Sequence, residues 1–212
     1  MKNRNEYTPN EKIELNTRYR IEGEGAHGGE TALKWYKKGL EFGNISEDYD
    51  RKNYEYYYDY QKHNKEYEEK GFENFEKAAE CFANSAMLDN ELAMMNYALY
   101  LFSFKDDNEE ALRWFLKASN KGLAVADYEL AVFYKKGYCG VEIDEEKAEY
   151  YFNRYKTLTE ADERQFILAC GIDDDWCVLG RMFMFTWFCG GIEPAISDTP
   201  RAKPSKWRSA KS

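Results

Sequence analysis

The chain has 212 residues, with 30 Lys and Arg against 39 Asp and Glu, which gives a net charge of −9. An acidic protein of this kind is excluded from general duplex binding, because affinity for phosphates needs a basic surface. Aromatic residues make up 17% of the chain, too many for a disordered polyelectrolyte even though mean hydropathy is −0.81.

Residues 1–8 form a polar leader, and no apolar run follows Met1, so no secretory signal is expected. A first helical stripe then carries Leu15 and Tyr19, and Gly23 and Gly25 break it. Ala32, Trp35, Tyr36 and Gly39 read as a second stripe. A longer, Tyr-rich unit occupies residues 44–72, in which Tyr49, Tyr56, Tyr60 and Tyr67 advance by 7, 4 and 7 and are expected on one face of a long helix. Tyr54 and Tyr58 point away from that face. They are either ordinary exposed tyrosines or interface anchors, which bury much area at low entropic cost.

Lys77, Ala78, Cys81 and Phe82 begin the next second helix. A first helix with Ala93, Tyr97, Ala98 and Leu101 is followed by a second with Ala111, Trp114, Phe115 and Ala118. The clearest unit is 126–155. Ala126, Leu130, Ala131 and Tyr134 share a stripe, Gly137 and Gly140 interrupt it, and Asp144 is placed to cap a helix carrying Ala148, Tyr151, Phe152 and Tyr155. Small residues at Ala131 and Ala148 let those two helices approach closely. The second-helix alanines at 32, 78, 111 and 148 are 46, 33 and 37 residues apart, the spacing of a helical repeat with one long interval. Leu179, Gly180 and Phe183 match the first-helix pattern once more.

The run Gly140-Val141-Glu142-Ile143-Asp144-Glu145-Glu146-Lys147-Ala148 with Tyr151-Phe152 resembles the Sel1-like repeat, a relative of the tetratricopeptide repeat. The resemblance extends over residues 9–189. It implies an all-α fold, an α-solenoid of about four to five antiparallel helix pairs, followed by a flexible basic tail at 190–212. It also implies a non-catalytic adaptor whose first helices line a concave groove for a protein or peptide partner. With Leu130, Ala131 and Tyr134 facing inward, Val125, Tyr128, Val132 and Lys135 are left toward the groove. Leu92, Met95, Leu99 and Phe102 hold the equivalent positions one unit earlier. Seven of these eight are apolar or aromatic, so they either form a docking surface or are covered by neighbouring repeats or a chain terminus. Further along the same face the last unit would add Cys177, Arg181 and Met184, and the first Ile13, Thr17 and Arg20.

Chemistry has little to draw on. Only His27 and His63 are present, neither beside a Cys pair, so no metal or cofactor site is expected. The stretch Gly23–Gly29 lacks the Lys-Ser/Thr end of a phosphate loop. The acidic runs 106–110 and 173–175 lack calcium-loop spacing and suit helix starts. The longest apolar run, 178–189, is shorter than the roughly 20 residues that span a bilayer. The expectation is therefore a cytoplasmic protein with reduced cysteines, Cys170 and Cys177 being either a close pair or buried free thiols. Five Lys and Arg with no acid in 201–212 leave −14 on residues 1–200. That acidic body suits a second role, an immunity or inhibitor protein that occludes a basic toxin. The close packing assigned to Ala148 predicts that Ala148→Trp lowers stability by about 1–3 kcal/mol, read from urea or thermal unfolding.

Overall fold

The computed structural model describes residues 25–60 and 62–162, the Tyr58 side chain excepted, together with Thr8, Glu11, Arg18, Tyr19, Glu22 and Gly23. Among them the secondary structure is helical throughout: α1 Gly29–Tyr60, α2 Lys65–Met87, α3 Glu91–Tyr100, α4 Asn108–Asn120, α5 Ala124–Lys136 and α6 Glu145–Ala161. The helices pack in chain order as three antiparallel pairs, α1 with α2, α3 with α4 and α5 with α6, each pair also touching the next. The chain folds as an α-solenoid.

Short polar side chains start most of these helices. Asn64 accepts from the backbone N–H of Glu66 and Tyr67, Asn90 from Ala93, Asp107 from Glu110 and Asp144 from Lys147. The cap predicted at Asp144 is thus in place. Gly137, at φ +70°, ends α5 by donating its N–H to the Phe133 carbonyl at 2.8 Å. Where the third unit lacks a glycine loop, α3 runs on into a π-helical turn, Leu101–Lys105, and Asp106 takes the left-handed conformation at φ 57°.

The first pair is built differently from the expectation. The chain does not break near residue 44 or 72. α1 ends at Tyr60 and α2 starts at Lys65, inside the Tyr-rich stretch, so 32 residues form one helix of about 48 Å. Tyr67 therefore lies on α2 and not on the helix of Tyr49, Tyr56 and Tyr60. It still joins them across the pair, with ring centroids 6.2 Å from Tyr49 and 6.3 Å from Tyr56.

A seam of small residues sets this pairing. On α1, Ala32, Gly39, Ser46 and Asn53 recur every seven residues; opposite them Asn64, Gly71, Ala78 and Ser85 do the same. The Ser85 hydroxyl donates to the Ala32 carbonyl at 2.7 Å and the Ser46 hydroxyl to the Gly71 carbonyl at 2.8 Å. The Asn64 backbone N–H donates to Asn53 Oδ1 at 2.6 Å. Partners separate by equal steps on both helices, as a two-turn repeat requires. At Gly39 a Cβ would stand 2.6 Å from the Phe82 ring, so the helices meet more closely than any larger residue permits.

Aromatic contacts then carry packing along the array. Phe75 meets Phe104 at 4.2 Å, Tyr97 meets Trp114 at 5.7 Å, Phe115 meets Phe133 at 5.0 Å, and Tyr134 stacks on Tyr151 at 5.7 Å. Equivalent turns also touch: Asp89, at φ +72°, lies 33 positions before Gly122, at φ +85°, and accepts an ion pair from Lys121 at 2.9 Å. Replacing Gly39 by Leu should cost about 1–3 kcal/mol in urea unfolding. The overpacking against Phe82 outweighs the roughly 1 kcal/mol of helix propensity gained by removing a glycine.

Candidate functional site

The groove face predicted from α3 and α5 divides into a covered part and an accessible part. Leu92, Met95, Leu99 and Val125 are between 1 and 7% exposed and belong to the core. This corrects the expectation that they face an open groove, and it means that a charge at Leu99 would act on folding. The physical reason is that α3 is apolar on every side, the signature of a helix enclosed by its neighbours rather than one with a free face. Phe102 is half-buried, with its ring 5.2 Å from Phe133. Tyr128 and Val132 are half-buried and Lys135 is exposed, and the three share one stripe of α5. Tyr128 also packs 5.4 Å from Tyr155 of α6. Tyr54 is 55% exposed on the distal half of α1, well away from that stripe in the chain, and the Tyr58 side chain lies outside the described residues. So do Ile13, Thr17, Arg20, Cys170, Cys177, Arg181, Met184 and the tail.

Two buried acids tie neighbouring elements together behind this stripe, and neither was singled out from the sequence. Glu91, at the first position of α3, accepts from the Tyr19 hydroxyl at 2.8 Å and from the His27 backbone N–H at 2.9 Å. His27 Nδ1 lies 3.2 Å from it. The segment before α1 is thereby tied to the start of α3. Gly28 allows the approach, since a Cβ there would fall 2.2 Å from the Leu88 carbonyl oxygen, and its φ is +89°.

Asp127, 0% exposed on α5, accepts from the Ser119 hydroxyl of α4 at 2.5 Å and pairs with Arg154 Nε of α6 at 3.3 Å. Arg154 also donates to the Ser119 carbonyl at 2.6 Å. One guanidinium thus ties three helices together. Burial pushes the Asp127 carboxyl up to about 6, with Ser119 and Arg154 opposing it. A signal for this site was present in the sequence: Asp127 precedes Ala131 by four and Tyr134 by seven, an acid on the core stripe.

Among the described residues no three His, Cys, Asp or Glu side chains are grouped to hold a metal ion. Cys81 and Cys139 are buried; the Cys139 thiol donates to the Asn108 carbonyl at 3.0 Å, and burial pushes the Cys81 thiol up, away from the reactive thiolate. No helix among these residues is long and apolar enough to cross a membrane.

Arg154→Met should cost about 3 kcal/mol, since it strands a buried acid. The loss in urea unfolding should be larger at pH 8 than at pH 5, because a protonated Asp127 needs no cation.

Comparison with known proteins agrees with this architecture. No curated protein and no solved structure matches the chain. The Sel1 repeat model matches residues 29–44, 56–89, 91–123 and 124–154, more than half of the sequence; its last two stretches follow the pairs α3–α4 and α5–α6 closely, and the first two fall on the α1–α2 pair. With helix pairs stacked through aromatic contacts and four consecutive matches to one repeat model, the chain belongs to the Sel1 repeat family.

Proposed function

We propose that this protein is a non-catalytic scaffold that holds a protein or peptide partner against the first-helix face of its repeat array. Repeats of this family generally mediate protein–protein interaction, and the four matched repeats are the observation that carries the reading. Within the array the stripe Tyr128, Val132 and Lys135 on α5 is the docking surface, with Phe102 at its edge on the preceding pair. It combines an aromatic ring, an aliphatic side chain and an accessible ammonium, which suits a partner with an apolar anchor beside an acid. Tyr54, on the α1–α2 hairpin, is a separate contact point. The location that fits this role is the cytoplasm.

One observation favours a narrower version. The net charge of −14 on residues 1–200 would draw a basic protein through its long-range field, and in this version the scaffold is dedicated to neutralising a single basic toxin. The two versions differ in stoichiometry. A general scaffold retains several unrelated proteins, and an inhibitor retains one, at 1:1, with an on-rate that falls steeply with salt.

Affinity capture from native cells with the wild-type chain and with Val132→Asp/Lys135→Glu tests the surface. Lys135 is exposed, so Lys135→Glu alone should move stability by no more than about 0.5 kcal/mol, and thermal unfolding of the double variant separates any folding cost at the half-buried Val132 from loss of binding. The double variant's recovery of the proteins captured by wild type should fall at least about tenfold, the equivalent of roughly 1.4 kcal/mol. Unchanged recovery would remove α5 from the docking surface.

A further inference from the structure

The α5–α6 pair leaves open a face that the pair before it buries. Met95 and Leu99 of α3, with Phe102 just beyond it, stand 33 positions before Tyr128, Val132 and Lys135 of α5. Met95 and Leu99 are buried, and Phe102 packs 5.2 Å from Phe133 of α5. At the counterpart positions Tyr128 and Val132 are half-buried and Lys135 is exposed. The second helices repeat the contrast. Trp114, Phe115 and Ala118 of α4 stand 37 positions before Tyr151, Phe152 and Tyr155 of α6. Phe115 is 0% exposed, its ring 5.0 Å from Phe133, whereas Phe152 is 42% exposed. Both differences have one cause: α5 covers the α3–α4 pair, and among the described residues no later helix follows α6 to do the same.

The chain carries an occupant for that place. α6 ends at Ala161, and its Tyr155 ring lies 5.4 Å from Tyr128, so the chain leaves the array beside the open face. In residues 163–189, 17 of 27 side chains are of hydrophobic types, against 43% of the whole chain, and such a composition favours burial over solvation. A covering helix needs fewer residues than that, since α3 has 10 and α5 has 13. Leu179, Gly180 and Phe183 also repeat the spacing of Leu130, Ala131 and Tyr134 on α5. We propose that residues 163–189 occupy the α5–α6 face, packing apolar side chains against Val132, Phe152 and Tyr155 as α5 packs against Phe102 and Phe115. The assignment goes beyond the scaffold reading: it adds an occupant from the same chain, which a partner docking on the α5 stripe has to displace.

Photo-crosslinking of the purified full chain tests this cover. One preparation carries p-benzoylphenylalanine in place of Phe152, a second in place of Lys135, and a third in place of Glu73, which is exposed on α2. Each is mixed with isotopically heavy chains of the same kind before irradiation. Phe152 and Lys135 positions should give crosslinks into 163–189 within one copy, and the Glu73 position should not. Crosslinks that join heavy to light chains would assign the face to a second copy and overturn the proposal, as would crosslinks from both positions that never reach 163–189. Hydrogen–deuterium exchange of Leu179→Asp/Phe183→Asp gives a second reading. Protection at 128–135 and 150–156 should fall at least about tenfold while 78–86 and 111–118 keep theirs, because only the first two lie under the cover. Unchanged protection at 128–135 would equally overturn it. Neither measurement involves a partner, so this cover can fail while capture through the α5 stripe stands, and the reverse.

Discussion

The structure depends on how closely two helices can approach. Where Ala32, Gly39, Ser46 and Asn53 meet Ser85, Ala78, Gly71 and Asn64, side-chain bulk is nearly absent, and hydroxyls and amides bond directly to backbone groups. Such a seam contributes little hydrophobic area of its own. Its effect is to displace the large rings to the flanks, where they are free to meet the next pair. Phe75 reaches Phe104 and Tyr100 in this way, and Tyr36 packs against Phe82. A thin array can then be polar overall and still cohere, because each layer is only one helix pair deep and aromatic contacts join the layers.

Charge inside the array follows the same logic of joining units. Glu91 gathers groups from the segment before α1, and Asp127 gathers groups from α4 and α6. Each acid is satisfied only when separate elements arrive in register. A buried pair of this kind adds little net stability over an apolar substitute, but it penalises any arrangement that leaves the acid alone.

Periodicity in the sequence was enough for the fold class, the pairs α3–α4 and α5–α6 and the cap at Asp144, because apolar spacing near 3.6 and short polar residues at helix starts are local properties. The stripes carrying Ala93, Ala111 and Ala126 lie largely in the core, as their spacing requires, whereas on the stripe of Ala148 the Tyr151 and Tyr155 rings are half-buried and Phe152 is 42% exposed. The interaction face was less legible. Leu92, Met95 and Leu99 look like a second apolar face of one helix, and from the sequence a helix with two apolar faces can be either enclosed or open on one side. Tertiary packing decided for enclosure. The same ambiguity placed Tyr67 with the other tyrosines on a single helix, since a continuous stripe and two stripes facing each other across a turn share one spacing.

What the sequence determined by itself was the family of local solutions: helical repeats with a small alanine on each second helix, an acidic body and an aromatic core. Tertiary structure alone decided which groups from distant units complete one another. Asp127 becomes a staple only when α4, α5 and α6 converge, and Glu91 is satisfied only when the segment before α1 reaches the start of α3. The reason is physical. Helix propensity and amphipathic period act over a few residues, whereas the free energy of a buried charge is set by whatever surrounds it in space.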